Sequence, residues 1–213
     1  MADHTVAVAY AEGIWRFNPA TGPRSSTLVF FPGALVDPRA YAPLARSVAE
    51  AGYHVLLIEL PSRGAFGGAE SRELRIRIAA ALASVPEQRA VVVGGHSRGA
   101  VVASAISAQE PRLAGLVLIG TSHPRDVDLS SLDIPVTKVV GTRDGLASPA
   151  EVEQNASLLP AQTRWVWVEG GNHSQFGWYG FQPMDRRPRI PAAEQRAIMT
   201  QAVLDLLEAV DSQ

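Results

Sequence analysis

The chain has 213 residues, with 19 Lys or Arg, 21 Asp or Glu and no cysteine. This length suits one domain with a sizeable core, and we expect residues 1–213 to form a single domain. A formal net charge of -2 argues against a nucleic-acid-binding surface, and the absence of cysteine excludes disulfides, cysteine-based metal sites and a catalytic thiol.

Predicted strands and helices alternate along the chain. Residues 5–17 alternate loosely between apolar and polar side chains, so we expect an edge strand or hairpin within residues 1–26. Apolar runs that are typical of buried strands follow at 27–31, 53–60, 91–93, 113–119, 136–141 and 163–168. Segments that predict helices separate or follow them at 38–51, 70–84, 98–109, 149–159 and 191–210. This alternation predicts an α/β fold, a mostly parallel sheet with helices on both faces.

A glycine-flanked serine follows the Val-rich run at 91–93. Gly95, Ser97 and Gly99 fill the pattern G-x-S-x-G, in which the serine occupies a strained turn from strand to helix and its neighbours must lack side chains. Such a turn holds the hydroxyl out at the carboxyl edge of the sheet, so Ser97 is the candidate nucleophile. The backbone N–H of Arg98, in the first turn of the helix, is a candidate oxyanion donor. A structural serine in a chance match to this short pattern is the alternative.

The turn that ends the first buried strand offers a second oxyanion donor. It reads Pro32-Gly33-Ala34, and the glycine lets the loop fold close over the serine. The backbone N–H of Ala34 is the preferred candidate. A simple strand-ending turn is the alternative.

A serine hydroxyl needs a histidine base that a third group orients. His173 lies in a glycine-flanked loop directly after the last predicted strand and is the candidate base, with a surface-loop histidine as the alternative. The remaining histidines fit less well: His4, His54, His96 and His123. We expect the side chain of His96, next to Ser97, to be directed away from the site.

Asp144 is the candidate acid, because it follows the strand at 136–141 in a turn with Gly145. Aspartate is also a common turn former, which is the alternative. Three further acids compete less well because they lie in the linker after the preceding strand: Asp126, Asp128 and Asp133. Ser97, Asp144 and His173 each follow a separate strand, and this order predicts a Ser-His-Asp triad.

On these motifs the sequence resembles the α/β-hydrolases, and among them the small cap-less group around dienelactone hydrolase-like and carboxylesterase-like bacterial proteins. The similarity extends from residue 27 to the last helix and rests on 95–99, 141–145 and 170–173. It implies an α/β-hydrolase fold and a Ser-His-Asp mechanism without metal or organic cofactor. Ser97 would attack an acyl carbon, His173 would carry the proton and Asp144 would hold the imidazole.

Two features depart from the family pattern. Pro32 stands where many members have a histidine, and the segment between 119 and 136 is too short for the usual cap. We therefore expect no separate cap domain and an open cleft, in which loops select the substrate. Phe176, Trp178 and Tyr179 are candidate pocket residues, and packing beneath the C-terminal helix is the alternative.

These observations predict a serine hydrolase that cleaves small carboxylic esters or lactones through an acyl-enzyme. The same residues could cleave another bond, such as a thioester, amide or C–C bond, and this alternative remains. A ligand-sensing binding protein with this fold is the alternative from another class.

The expected partner is a small-molecule ester or lactone. We expect the protein to bind neither nucleic acid nor a membrane, and to be a monomer or a homodimer. The first residues lack the pattern of a secretory signal, and no apolar run reaches the ~18 residues that a membrane span requires. We therefore expect a cytoplasmic protein.

Overall fold

An eight-stranded sheet forms the centre of the structure, a computed structural model that describes residues 5–213. The strands are β1 (Val6–Ala11), β2 (Ile14–Pro19), β3 (Ser26–Phe31), β4 (His54–Ile58), β5 (Ala90–His96), β6 (Leu113–Ile119), β7 (Val136–Gly141) and β8 (Arg164–Val168). The helices are α1 (Ala42–Glu50), α2 (Arg72–Ala83), α3 (Arg98–Ser107), α4 (Pro149–Gln154) and α5 (Ala192–Asp211).

The strands are ordered β1-β2-β4-β3-β5-β6-β7-β8 across the sheet. From β4 to β8 all neighbours are parallel, whereas β2 pairs antiparallel with both β1 and β4. The carboxyl ends of the six parallel strands therefore meet at one edge, where α/β sheets bind their ligands. The N-terminal hairpin β1–β2 covers the free side of β4 and is itself the edge of the sheet.

Two apolar layers cover the sheet, one on each face. Alternate residues of a strand point to opposite faces, so Leu28 and Phe30 of β3 pack with α1 and α5, while Val29 and Phe31 pack with α2 and α3. The predicted fold class, a mostly parallel sheet with helices on both faces, is confirmed. Within the described residues, no helix or strand intervenes between β6 and β7, in agreement with the expected absence of a cap there.

Two predicted helices are shorter than the sequence indicates. The segment 38–51 begins with a 3-10 turn, Pro38–Tyr41, and becomes α-helical at Ala42. The segment 149–159 leaves the α-helix at Gln154, because Asn155 adopts a non-helical backbone and its side chain binds the Ser122 carbonyl oxygen at 2.9 Å. Neither difference changes the order of the elements.

Candidate active site

The turn between β5 and α3 places Ser97 in a strained conformation. Its φ of 53° and ψ of -118° lie outside the regions that side chains favour. A Cβ on Gly95 would lie 2.4 Å from the Gly99 carbonyl carbon, and one on Gly99 would lie 2.1 Å from the Phe31 carbonyl oxygen. Only glycines therefore allow β5, α3 and β3 to approach this closely, and the approach fixes Ser97 at the carboxyl edge of the sheet.

Two backbone amides near this turn have no acceptor. Within residues 5–213, neither the Arg98 N–H nor the Ala34 N–H donates a hydrogen bond, and the Ser97 hydroxyl has no hydrogen-bond partner. The Arg98 amide also opens α3, where the helix dipole favours negative charge. Both N–H groups are therefore free to donate hydrogen bonds to an oxygen that gains negative charge beside Ser97.

The neighbours of Ala34 explain which amide of its turn is free. The Gly33 N–H donates to the Tyr41 hydroxyl at 3.1 Å, and the Leu35 N–H donates to the Arg63 carbonyl oxygen at 2.8 Å. Both flanking amides are thus held by the protein, which leaves the Ala34 N–H available. This arrangement is consistent with the preference for Ala34 over Gly33 as oxyanion donor.

Asp144 and His173 form a buried pair. The Nδ1 atom of His173 lies 2.8 Å from Oδ2 of Asp144, and the two residues are 1% and 0% exposed. The other carboxylate oxygen accepts from the backbone N–H groups of Leu146 and Ala147 at 2.8 and 2.7 Å. Asp144 can therefore fix the imidazole with Nδ1 protonated and Nε2 as the available base.

The His173 ring lies beside the residue that precedes the candidate nucleophile. The ring centroids of His173 and His96 are 4.5 Å apart, and His96 is bonded directly to Ser97. The structure thus brings the loop after β8, the turn after β7 and the turn after β5 to one place. The competing acids Asp126, Asp128 and Asp133 are exposed on the linker between β6 and β7.

His96 has closer contacts with the site than the sequence predicts. Its ring is fully buried, packs against His173 and lies 2.6 Å from the Tyr41 hydroxyl through Nδ1. Burial, and secondly the nearby His173, lower the pKa of His96 well below its usual value of 6.5. His96 is therefore neutral. Of the other histidines, His54 contacts Asn18 at the opposite end of the sheet, and His4 lies outside the described residues.

Asp185 joins the turn that contains Asp144, the acid turn, to the loop that contains His173, the histidine loop. Sequence reasoning missed this role. Its carboxylate accepts from the Ser174 N–H and hydroxyl at 2.8 and 2.6 Å and from the His173 N–H at 3.3 Å. It also accepts from the Gly145 N–H at 3.1 Å, next to Asp144. No sequence spacing reveals this residue, because it belongs to an irregular loop whose partners are set only by the fold.

The three predicted pocket aromatics pack into the protein. Phe176 is 0% exposed within the apolar layer of α1 and α5. Trp178 is half-buried with the Arg196 guanidinium of α5 4.6 Å from its ring centroid, and Tyr179 is half-buried with a buried hydroxyl. Full burial favours packing beneath the C-terminal helix for Phe176, and the pocket roles of Phe176 and Trp178 stay predictions. The pocket role of Tyr179 stays a prediction.

Residues 5–213 contain neither a membrane-spanning helix nor a cluster of metal ligands. No helix there has the length and apolar character to cross a membrane. Likewise, no three histidine or carboxylate side chains in that range are grouped so that they could hold a metal ion.

Solved structures with a similar fold include proteins described as hydrolases and esterases. A predicted CIB-like hydrolase from Thermoplasma acidophilum is 14% identical, with a TM-score of 0.67 over 94% of this chain and 99% of that one. The ferulic acid esterase from Streptomyces cinnamoneus is 20% identical, with a TM-score of 0.66 over 87% of this chain and 66% of that one. The esterase domain of a Rhodothermus marinus protein is 13% identical, with a TM-score of 0.60 over 75% of this chain and 83% of that one.

At these identities the structural likeness shows the fold. No protein in the search of curated proteins matches this chain. A sequence model of the alpha/beta hydrolase family, however, matches residues 27–197, which include the turns that hold Ser97, Asp144 and His173. The chain belongs to the alpha/beta hydrolase family.

Proposed function

We propose that this protein is a serine hydrolase of small carboxylic esters or lactones, with Ser97 as nucleophile, His173 as base and Asp144 as the group that orients His173. The observation that carries the proposal is the buried His173–Asp144 hydrogen bond of 2.8 Å, placed against the residue that precedes the strained Ser97. A buried carboxylate that fixes one imidazole nitrogen leaves the other free to take a proton from a serine.

In the first half-reaction, the Ser97 hydroxyl oxygen attacks the ester carbonyl carbon while His173 Nε2 takes the hydroxyl proton. The carbonyl oxygen gains the negative charge and accepts from the Ala34 and Arg98 N–H groups, whose hydrogen bonds to it strengthen as the charge develops. When the tetrahedral intermediate collapses, the C–O bond to the alcohol breaks and His173 gives the proton to the leaving oxygen. Ser97 is left as an acyl ester.

In the second half-reaction, water takes the place of the alcohol. His173 removes a proton from the water, the hydroxide oxygen attacks the acyl carbon, and the same two amides hold the oxyanion. Collapse releases the carboxylic acid and returns the proton to Ser97. Asp144 accepts from the Nδ1–H throughout and stabilises the imidazolium that forms twice in each cycle.

A cavity lies beside the turn Gly33–Ala34, the candidate oxyanion turn. A cavity of about 390 Å³ at the carboxyl edge of the sheet is lined by Pro32 and Val36, which flank the turn, and by Trp15 and Leu60. Its volume lies at the lower end of the range for small-molecule sites. Ser97, Asp144 and His173 do not line this cavity, so it adjoins the oxyanion turn and not the triad.

Hydrolysis of p-nitrophenyl acetate by single variants tests this proposal. We expect Ser97→Ala and His173→Ala each to lower kcat/KM by more than about 1,000-fold, because both remove a group that acts in every proton transfer. Ser104→Ala and His54→Ala are matched controls. The Ser104 hydroxyl donates to the Ala100 carbonyl oxygen within α3, and His54 contacts Asn18 at the opposite end of the sheet. Wild-type turnover that persists in folded Ser97→Ala would refute the assignment.

A further inference from the structure

A buried pair, Tyr41 and His96, lies behind the candidate site and takes no part in the proton transfers. The Gly33 N–H donates to the Tyr41 hydroxyl at 3.1 Å, and that hydroxyl lies 2.6 Å from Nδ1 of His96. Both side chains are 0% exposed. The Tyr41 hydroxyl therefore links the Gly33 amide to the His96 ring, because a phenol can accept from Gly33 and still pair with Nδ1 as donor or as acceptor.

His96 continues this chain of contacts to the catalytic base. Its ring centroid is 4.5 Å from that of His173, with the two planes tilted by 45°. Its Nε2 is buried and has no hydrogen-bond partner among the described residues. A protonated His96 would repel the imidazolium that His173 forms during the reaction, whereas the neutral ring adds no charge there.

The pair is confined on several sides. A Cβ on Gly33 would lie 3.0 Å from the Tyr41 hydroxyl oxygen and 3.2 Å from His96 Nδ1, and one on Gly120 would lie 2.9 Å from His96 Nε2. On its other side, Tyr41 lies against the histidine loop, whose Trp178 N–H donates to the Ala40 carbonyl oxygen at 2.8 Å. The oxyanion turn cannot shift without displacing these side chains.

We propose that Tyr41 and His96 are positioning residues that hold the turn Gly33–Ala34 in register with His173, so that the Ala34 N–H is aimed before charge develops. This inference rests on the proposed function. Oxyanion donors accelerate a reaction only when they are fixed in advance, since reorganising them during the reaction costs the energy they would supply. Loss of the pair should therefore lower kcat and leave KM nearly unchanged.

Tyr41→Phe tests this role, because it removes only the hydroxyl that holds Gly33. With p-nitrophenyl acetate as substrate, we expect kcat to fall about tenfold and KM to change less than about twofold. Affinity for phenylboronic acid, which adds to an activated serine as a tetrahedral anion, should fall by a similar factor. Tyr53→Phe is the matched control, since the Tyr53 hydroxyl is also buried but has no hydrogen-bond partner in the described chain. The control should keep the wild-type values.

Variants of His96 test whether the two residues act as a unit. His96→Leu removes the ring partner of the Tyr41 hydroxyl, and we expect a loss of kcat similar to that of Tyr41→Phe. The double variant should lose little more than either single variant, because the same link is broken in all three. His96→Asn offers a side-chain oxygen near the Nδ1 position and should recover a measurable part of the kcat lost in His96→Leu.

Several outcomes would overturn the inference. Wild-type kcat and boronate affinity in folded Tyr41→Phe, even with a lowered Tm, would show that the pair only stabilises the fold. Additive losses in the double variant would show that the residues do not act together. If Tyr41→Phe does not fold, equal kcat in His96→Asn and His96→Leu would have the same meaning. A wild type without Ser97-dependent turnover would instead refute the proposed function itself.

Discussion

Asp144 accepts three hydrogen bonds, and their directions decide its chemical role. One oxygen faces the His173 Nδ1–H, and the other is held by the amides of Leu146 and Ala147 in its own turn. A carboxylate is the side chain that accepts in all these directions at once, because a primary amide replaces one of its oxygens with a donor. The turn thus needs an aspartate for its fold and for the orientation of His173.

Asp144→Asn should separate these two roles. Asparagine can keep its oxygen toward the two amides, but its NH2 group then faces Nδ1 and favours the wrong imidazole tautomer. We expect kcat/KM for p-nitrophenyl acetate to fall by about 1,000-fold to 10,000-fold while the protein stays folded. Asp128→Asn is the control, since Asp128 is exposed and accepts from the Ser130 N–H in its own turn. A loss below about tenfold would mean that Asp144 does not orient the base.

The residues of the site differ in how far the sequence predicts them. Ser97 and its glycines form a local pattern, because the strained turn and the close approach of α3 to the sheet are determined by neighbours in the chain. Asp185 and Tyr41 could not be found in this way. Their hydrogen bonds join segments that are distant along the chain and meet only in the folded protein.

At the scale of elements, close packing of α3 on the sheet holds Ser97 in place. The helix crosses β3 where Gly99 faces the Phe31 carbonyl oxygen, and a side chain there would lie 2.1 Å from that atom. The neighbouring turns are fixed in their own ways, since Asp185 ties the acid turn to the histidine loop and Tyr41 holds the oxyanion turn. The site is therefore assembled from four connections that all begin at the carboxyl edge of the sheet.

Gly99→Ala tests this packing directly. The added methyl group must push α3 away from β3, and we expect the free energy of unfolding to fall by about 2 to 3 kcal/mol. Urea denaturation measures this difference. Gly180→Ala is the matched control, because no atom lies within 4 Å of a Cβ built there. Equal stability of the two variants would mean that α3 and β3 are not in close contact at Gly99.

The order of elements follows from the sequence more readily than their exact ends. Buried parallel strands appear as continuous apolar runs, and β3, β6 and β7 agree with their predicted positions to within one residue. The end of α4 was less evident, because Asn155 stops it by binding a carbonyl oxygen of a distant loop. The aromatics of the predicted pocket are equally ambiguous from the sequence, since an aromatic side chain suits either a pocket or a core.

At the scale of the whole molecule, the sheet contains one buried charge-bearing group. Lys138 of β7 is 1% exposed, and its Nζ donates to the His123 carbonyl oxygen. Burial lowers its pKa from the ordinary value of 10.5 to about 7. A lysine whose pKa falls on folding makes the free energy of unfolding depend on pH.

Between about pH 7 and the pKa of the unfolded lysine, the unfolded chain binds one more proton than the folded chain. The contribution of Lys138 to the free energy of unfolding therefore rises with pH across that interval, by at most about 1.4 kcal/mol for each pH unit. Below the interval this contribution is at its lowest. We expect urea denaturation of the wild type from about pH 7 to about pH 9.5 to show this rise relative to Lys138→Met. Arg187→Met, which removes an exposed cation, should keep the wild-type slope. Parallel slopes for wild type and Lys138→Met would contradict a neutral buried lysine.

The most direct measurement is intact-mass analysis after treatment with a serine-directed fluorophosphonate, followed by peptide mapping. An activated Ser97 predicts one adduct on the wild-type protein, located on Ser97, and none on folded Ser97→Ala or His173→Ala, because an unactivated serine hydroxyl does not displace fluoride at neutral pH. Absence of an adduct on folded wild type, or an adduct on another residue, would contradict Ser97 as the nucleophile.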